Sequence, residues 1–243
     1  MIKGRGMLAK AFASYNEQRN IIIFAQGVSN SQEKDEANFK RESNILQSVL
    51  DENKEKLIVY FGTCSVDDPD SKNSPYVVHK LKMEKLVQES GLDYYIFRLP
   101  QVVGKTTSPT LIHYLSMKIR DGEAFDVWRN SARNLIDVDD CYKICSYLID
   151  NDILKNTTIN VATSSCVGII DIVKEIEGFL QKQAVYNIVD KGETYPINIA
   201  TIQPYLETCQ VSFEDGYFLG LLKKYYEEYK VVRKCSSSSA GRA

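Results

Sequence analysis

Histidine is nearly absent from this chain: His79 and His113 are the only two in 243 residues. The six cysteines (Cys64, Cys141, Cys145, Cys166, Cys209 and Cys235) are scattered and show no zinc-ligand spacing, so no metal site is expected. Their better reading is free thiols in a cytoplasmic protein. Cys141 and Cys145 lie one helical turn apart and should face a core. No apolar run approaches the ~20 residues of a membrane span, and Met1-Ile2-Lys3-Gly4 is not expected to act as a signal peptide. An excess of one charge is missing too. Lys and Arg number 30 against 32 Asp and Glu, a net charge of −2. Such a balance gives no argument for nucleic acid or an anionic membrane as partner. No internal repeat is visible. The length suits one large domain, or one domain with a small lobe.

What is present is concentrated between Ile58 and Glu84. Ile58-Val59-Tyr60-Phe61-Gly62-Thr63 is an uncharged, β-branched and aromatic run, which predicts a buried strand. Asp67, Asp68, Pro69, Asp70, Ser71, Asn73 and Pro75 make the following loop. Ser74 is an N-cap candidate with Pro75 at the first helical position. Tyr76 and Lys80 then share one helix face. A free tyrosine ionises near pH 10, and a neighbouring ammonium would favour its phenolate. Lys80 is spaced to supply that charge, and Thr63 could hold the same substrate oxygen. The chemistry implied is proton transfer to or from an alcohol or ketone oxygen. Alone, Tyr-x-x-x-Lys is a short pattern, and the preceding strand and Thr63 give it weight.

Strand, terminal hydroxyl, loop and Tyr-x-x-x-Lys helix resemble the catalytic layout of the short-chain dehydrogenase/reductases. Ser74-Pro75-Tyr76, Lys80 and Glu84 are most similar to the extended branch, the NAD-dependent epimerase/dehydratase family acting on nucleotide sugars. The resemblance implies Tyr76 as acid/base, Lys80 as its modulator and a ribose ligand, and Thr63 as the orienting hydroxyl. Cys64 and Ser65, expected to contact substrate, stand where family dehydratases carry acids. That favours 4-keto reduction or epimerisation over dehydration. Asn44 matches an asparagine common on the preceding helix, read here over Gln32–Glu52 with Ser31 as cap; a solvated position suits it equally.

The start of the chain reads Gly4-Arg5-Gly6-Met7-Leu8-Ala9, a Gly-x-Gly-x-x-Ala turn opening an apolar-periodic helix. Glycines there let backbone N–H groups approach a pyrophosphate. By resemblance, Gly4, Arg5, Gly6, Met7 and Leu8 bind NAD or NADP, as do Ala25, Gln26 and Gly27 after the next strand. Arg5 gives a slight lean to NADP. The usual second and third strands, which carry the adenosine side, have no counterpart between Ala13 and Asn20. Weaker adenosine binding is therefore expected.

Two later segments extend the resemblance. Arg98-Leu99-Pro100-Gln101-Val102-Val103-Gly104 is similar to the loop covering the nicotinamide, which places Pro100, Val102 and Val103 on the cofactor and Gln101 on the substrate. Arg133-Asn134-Leu135-Ile136-Asp137-Val138-Asp139-Asp140 is similar to the segment whose arginine contacts the substrate diphosphate, and a guanidinium fork suits phosphate oxygens. Alternating strands and helices predict an α/β three-layer fold with a parallel, Rossmann-like sheet. Residues 1–104 plus 133–165 would form the cofactor domain, 105–132 plus 166–230 a substrate lobe, and 231–243 a disordered tail. The partner expected is a nucleotide-linked sugar, and a homodimer is compatible with the family. A different reading keeps the fold but not the chemistry: a catalytically silent or regulatory binding protein.

Overall fold

The computed structural model describes residues 1–106 and 110–227. In chain order the elements are β1 (Ile2–Lys3), α1 (Met7–Ala11), β2 (Ile21–Phe24), α2 (Glu36–Glu52), β3 (Leu57–Thr63), α3 (Pro75–Gln88), β4 (Tyr94–Leu99) and β5 (Gln101–Val103). There follow α4 (Leu111–Asp121), β6 (Phe125–Trp128), β7 (Ala132–Arg133), β8 (Leu135–Asp137), α5 (Val138–Asp150), β9 (Thr157–Asn160), β10 (Val167–Gly168), α6 (Ile169–Leu180), β11 (Tyr186–Val189) and α7 (Tyr217–Tyr226). The Ser-rich stretch 231–243 lies outside the described residues.

Five strands make one parallel sheet in the order β1-β2-β3-β4-β9. Its strands are nearly continuous apolar runs because both faces are covered. Side chains alternate between the faces. Ile23, Val59, Phe61, Tyr95 and Phe97 meet Phe12, Ile144 and Leu148 on one side. Ile22, Phe24, Ile58, Tyr60 and Ile96 meet Leu46, Val49, Met83 and Val87 of α2 and α3 on the other. Cys141 and Cys145 are fully buried in the first of these clusters, as their spacing predicts. A separate apolar cluster joins Ile112, Leu115, Phe125, Ile172, Ile176, Phe218 and Leu222.

Between α1 and β2 the chain has only a 3-10 turn, Ala13–Glu17. Among the described residues no strand pairs with the outer edge of β1, so the sheet stops where the adenosine side would begin. One boundary differs from expectation. The helix α2 starts at Glu36, not Gln32, and its cap is Asp35, whose carboxylate accepts from Ala37 N at 2.9 Å. The Glu33 carboxylate accepts from Lys34 N and Asp35 N, both at 2.9 Å, and this local bonding holds the backbone in a turn instead of a helix. Val167 and Gly168 pair antiparallel with β7 before α6 begins.

Candidate active site

The site lies at the carboxyl end of β3, where ligands bind in open parallel sheets. Strand β3 pairs through Thr63 with Leu99 of β4, so its end is fixed by the ladder. Thr63 Oγ1 accepts from Ser65 N at 3.1 Å and caps a short 3-10 turn over Cys64–Asp67. Ser74 caps α3 by accepting from Val77 N at 3.3 Å, with Pro75 in the first turn, as the sequence indicates. That start sets the rotation of α3 and buries Tyr76 and Lys80 on one face.

The Thr63 side chain interacts with the Tyr76 phenol. Burial pushes that phenol up to about 12; Thr63 opposes the rise, and Glu42 and Cys64 add to it. The Lys80 ammonium lies over the ring face of Tyr76, 6.0 Å from the centroid. It donates to Glu42 Oε1 at 3.2 Å and to the Tyr60 hydroxyl at 3.1 Å. At 3 % exposure, Lys80 has little surface left for a ribose.

Glu42, on α2, was not read as a site residue from the sequence. It is 1 % exposed and takes four partners. Oε1 accepts from Lys80 and, at 2.9 Å, from the Tyr60 hydroxyl. Oε2 accepts from Val28 N at 2.6 Å and lies 3.0 Å from His79 Nε2. Burial alone would raise this carboxyl; His79, Lys80, Val28 N and Tyr60 outweigh it and hold the value down at about 2. Burial lowers Lys80, against the pull of Glu42 and Glu84. A sequence signal for Glu42 did exist. It is a charge on the stripe of Phe39, Leu46, Val49 and Leu50, three residues after the first and four before the second. Asn44, by contrast, faces solvent.

Glycines mark where backbone and side chain crowd. A Cβ on Gly27 would stand 2.6 Å from Lys80 Nζ and 2.7 Å from Glu42 Oε1, so this position is kept bare by the ion pair. Gly62 leaves room for the Glu84 carboxylate, which accepts from Arg98 Nε at 3.0 Å and Nη2 at 2.7 Å. Gly4 has φ +138 and sits against the Ala25 carbonyl, bringing the β1–α1 turn to the end of β2. A Cβ on Gly6 would meet nothing within 4 Å. Arg5, Gly6 and Gln26 are exposed, while Met7, Leu8 and Ala25 are half-buried. Gly104 allows Met7 Sδ and Val138 to close against the end of β5. Pro100 and Val102 are half-buried beside this turn and Val103 is buried.

The proposed substrate contacts divide. Cys64, expected to reach substrate, is corrected: it is fully buried, its thiol donates to the Arg98 carbonyl at 3.3 Å, and burial pushes its pKa far up. Ser65 is half-buried beside Tyr195, and the Gln101 side chain is exposed. Arg133 is half-buried on β7 opposite Val167; its Nη1 donates to the Ala132 carbonyl at 2.8 Å. Among the described residues no carboxylate pairs with it.

A model of the NAD dependent epimerase/dehydratase family matches residues 2–162. No curated protein matches the sequence. Solved structures share the fold at low identity. UDP-glucuronic acid 4-epimerase from Bacillus cereus, in complex with UDP-glucuronic acid and NAD, is 19% identical with a TM-score of 0.71, over 90% of this chain and 78% of that one. WbmH from Bordetella bronchiseptica, in complex with NAD+, is 16% identical with a TM-score of 0.66, over 92% and 81%. UDP-N-acetylglucosamine 4-epimerase from Methanobrevibacter ruminantium, in complex with UDP-N-acetylmuramic acid, is 16% identical with a TM-score of 0.66, over 92% and 80%.

Proposed function

The chain belongs to the NAD dependent epimerase/dehydratase family, and on that footing we propose that it is a nicotinamide-dependent enzyme acting on a nucleotide-linked sugar. The observation that carries this reading is the meeting of Thr63 and Tyr76 at the end of β3, in a fold shared with structures that hold NAD and UDP-sugars.

The nicotinamide and pyrophosphate portion of the cofactor fits the residues present. Gly4 brings the β1–α1 turn against Ala25, and the open space at Gly6 is a cradle that a side chain would fill. Gly4, Arg5, Gly6, Met7 and Leu8 would hold the pyrophosphate, with Ala25, Gln26, Gly27, Pro100, Val102 and Val103 around the nicotinamide. When bound, the cofactor supplies or accepts a hydride at the sugar carbon. Thr63 orients the sugar oxygen. Tyr76 exchanges its proton with that oxygen: the phenol O–H breaks as the alcohol O–H forms, or the reverse. Arg133 takes the diphosphate, because among the described residues no carboxylate competes for its guanidinium.

With Tyr76 raised to about 12, its resting form is the phenol, which gives a proton. The phenol is the form that serves reduction of a 4-keto group, and the oxidative half of an epimerisation needs that proton removed. NAD is the cofactor the fold relatives carry, and only exposed Arg5 speaks for NADP.

The test is turnover of nucleotide 4-keto-sugars followed by nicotinamide absorbance, in wild type and Tyr76→Phe. The variant should lose a factor of roughly 10²–10⁴ in kcat, the range for a positioned general acid/base. Its fold and nicotinamide affinity should hold. Turnover near wild type would remove Tyr76 from the chemistry. The silent-protein reading draws on the buried Lys80–Glu42 pair and the sheet that stops at β1 among the described residues. Failure to bind either nicotinamide form at about millimolar concentration, a weak-affinity limit, would favour it.

A further inference from the structure

Arg133 stands on a strand too short to hold itself. β7 pairs with β10 over two residues only, Arg133 opposite Val167 and Ala132 opposite Gly168, and so short a two-stranded ladder is marginal without further support. The guanidinium bond from Nη1 to the Ala132 carbonyl stays inside the same strand. The next residue supplies what the ladder lacks. Asn134 is buried, 7 % exposed. Its Oδ1 accepts from Thr163 N at 3.0 Å, and its Nδ2 donates to the Thr163 carbonyl at 2.9 Å and to the Ser165 carbonyl at 3.3 Å. The side-chain amide thus exchanges two bonds with one residue, as a hydrogen-bonded pair in an antiparallel sheet does. Thr163 is buried as well, and its Oγ1 donates to the Ser165 carbonyl at 2.8 Å. On the main-chain side, the Asn134 carbonyl accepts from Gln101 N at 3.2 Å, which ties the same residue to β5.

We propose that Asn134 is a positioning residue for the substrate: its amide grips the Thr163–Ser165 segment and thereby presets Arg133 to receive the diphosphate of a nucleotide sugar. This rests on the reading of Arg133 as the diphosphate ligand. The gripped segment runs straight into β10, since Ser165 lies two residues before Val167, the partner of Arg133. Fixing that segment fixes the partner strand, and with it the backbone that carries the guanidinium. Cys166, between the two, is near enough for the Arg133 charge to bear on its thiol. An amide suits the task because it offers a donor and an acceptor side by side. A carboxylate at this position would keep the bond from Thr163 N but would face two carbonyl oxygens with no proton to give. A preset arginine spares the ordering cost that a loose one meets when the ligand arrives.

The experiment is a double-mutant cycle in the full chain, read as the affinity for uridine diphosphate, the nucleoside diphosphate of the sugars bound by the fold relatives. Asn134→Ala should weaken that affinity about tenfold when Arg133 is present, and by less than about twofold when Arg133 is already alanine. Nicotinamide affinity should stay near wild type, and in turnover the loss should appear in KM and not in kcat. Equal weakening in both backgrounds, or none in folded Asn134→Ala, overturns the proposal and leaves Arg133 in the site. So does a loss of nicotinamide affinity in step with the diphosphate, the mark of a merely structural role. Arg133→Ala that binds the diphosphate as wild type does would remove the reading of Arg133, and the proposal falls with it. Should Asn134→Ala not fold, Thr163→Val takes its place. It keeps the shape and removes the Oγ1 bond to the Ser165 carbonyl, loosening the segment that Asn134 grips. It should weaken the diphosphate about threefold, again only with Arg133 present, and no change in the folded variant overturns the proposal.

Discussion

The two ends of the cofactor groove are built to different standards. At the carboxyl end of β3, each side chain is fixed by a neighbour on another element: Thr63 by the Ser65 turn, Lys80 by Glu42, Arg98 by Glu84. At the outer edge of β1 there is a two-residue strand, a 3-10 turn and no further strand among the described residues. The difference teaches that the polar bonding which fixes the candidate chemistry is concentrated at the end of β3, while both regions share the apolar core. Strand β3 is central and buried on both faces, so it stays ordered whatever happens at the edge. The edge still carries core, since Phe12 and Tyr15 of the segment before β2 are buried in the main cluster, so what is missing there is binding surface and not packing.

The comparison can be broken most readily on the substrate side. Arg133 is held by a backbone carbonyl and, among the described residues, pairs with no carboxylate, so a diphosphate would be its main charged partner. Arg133→Ala should weaken binding of a nucleoside diphosphate by about 2–5 kcal/mol, as for a charge left without its buried partner. Arg133→Lys should recover only part, because a point charge lacks the guanidinium fork. Nicotinamide affinity should stay near wild type in both. Equal diphosphate affinity in all three proteins, by calorimetric titration, would take Arg133 out of the site.

A smaller effect tests whether the catalytic half carries stability as well. The folded-state value of Glu42 is about 2 against an ordinary 4.5. A carboxyl lowered on folding stabilises the fold above its unfolded value, and that contribution is lost as pH falls through the folded one. Between pH 4.5 and about 2 the wild type should therefore lose on the order of 3 kcal/mol through this group. Glu42→Gln should start less stable at neutral pH and show a flatter dependence across that window. Denaturant melts at several pH values read this directly. Parallel curves for the two proteins would mean that Glu42 is not held as described.

How far the sequence reached follows the same division. Local signals were readable: the uncharged run of β3, the Ser74-Pro75 helix start, the Tyr76 and Lys80 spacing, and the short stretch where two strands are missing. Each depends on residues close in the chain. The direction of the Lys80 ammonium was not readable. Its partner Glu42 is 38 residues away on another helix, and only the folded sheet brings the two together. Cys64 was misplaced for a related reason. Position beside Thr63 says nothing about which way a side chain turns once the 3-10 turn forms, and this one turns toward Arg98. Ser31 lost the capping role to Asp35 because Glu33 binds the intervening N–H groups, a competition that composition alone does not rank.

The smallest expected effect sharpens the comparison at its weak end. Adenosine in a full dinucleotide fold rests on strands beyond the first, with an acid on the ribose. Here the described chain offers neither, and Arg5 is the one charged side chain in the Gly4–Leu8 turn, exposed to solvent. An exposed charge on a phosphate is worth little in water, about 0–1 kcal/mol by analogy with surface ion pairs. Removing the adenosine half of the cofactor should accordingly cost less than about 1.4 kcal/mol, a factor of ten. Nicotinamide mononucleotide, NAD and NADP should bind within that range of one another, and Arg5→Ala should narrow any preference for NADP. The measurement is a fluorescence titration of the three reduced forms against wild type and variant. A hundredfold advantage for the full dinucleotide over the mononucleotide would show that adenosine has a wall after all. A second copy of the chain set against the open edge of β1 is one source of such a wall, and the titration repeated across protein concentrations would reveal it as an affinity that rises with assembly.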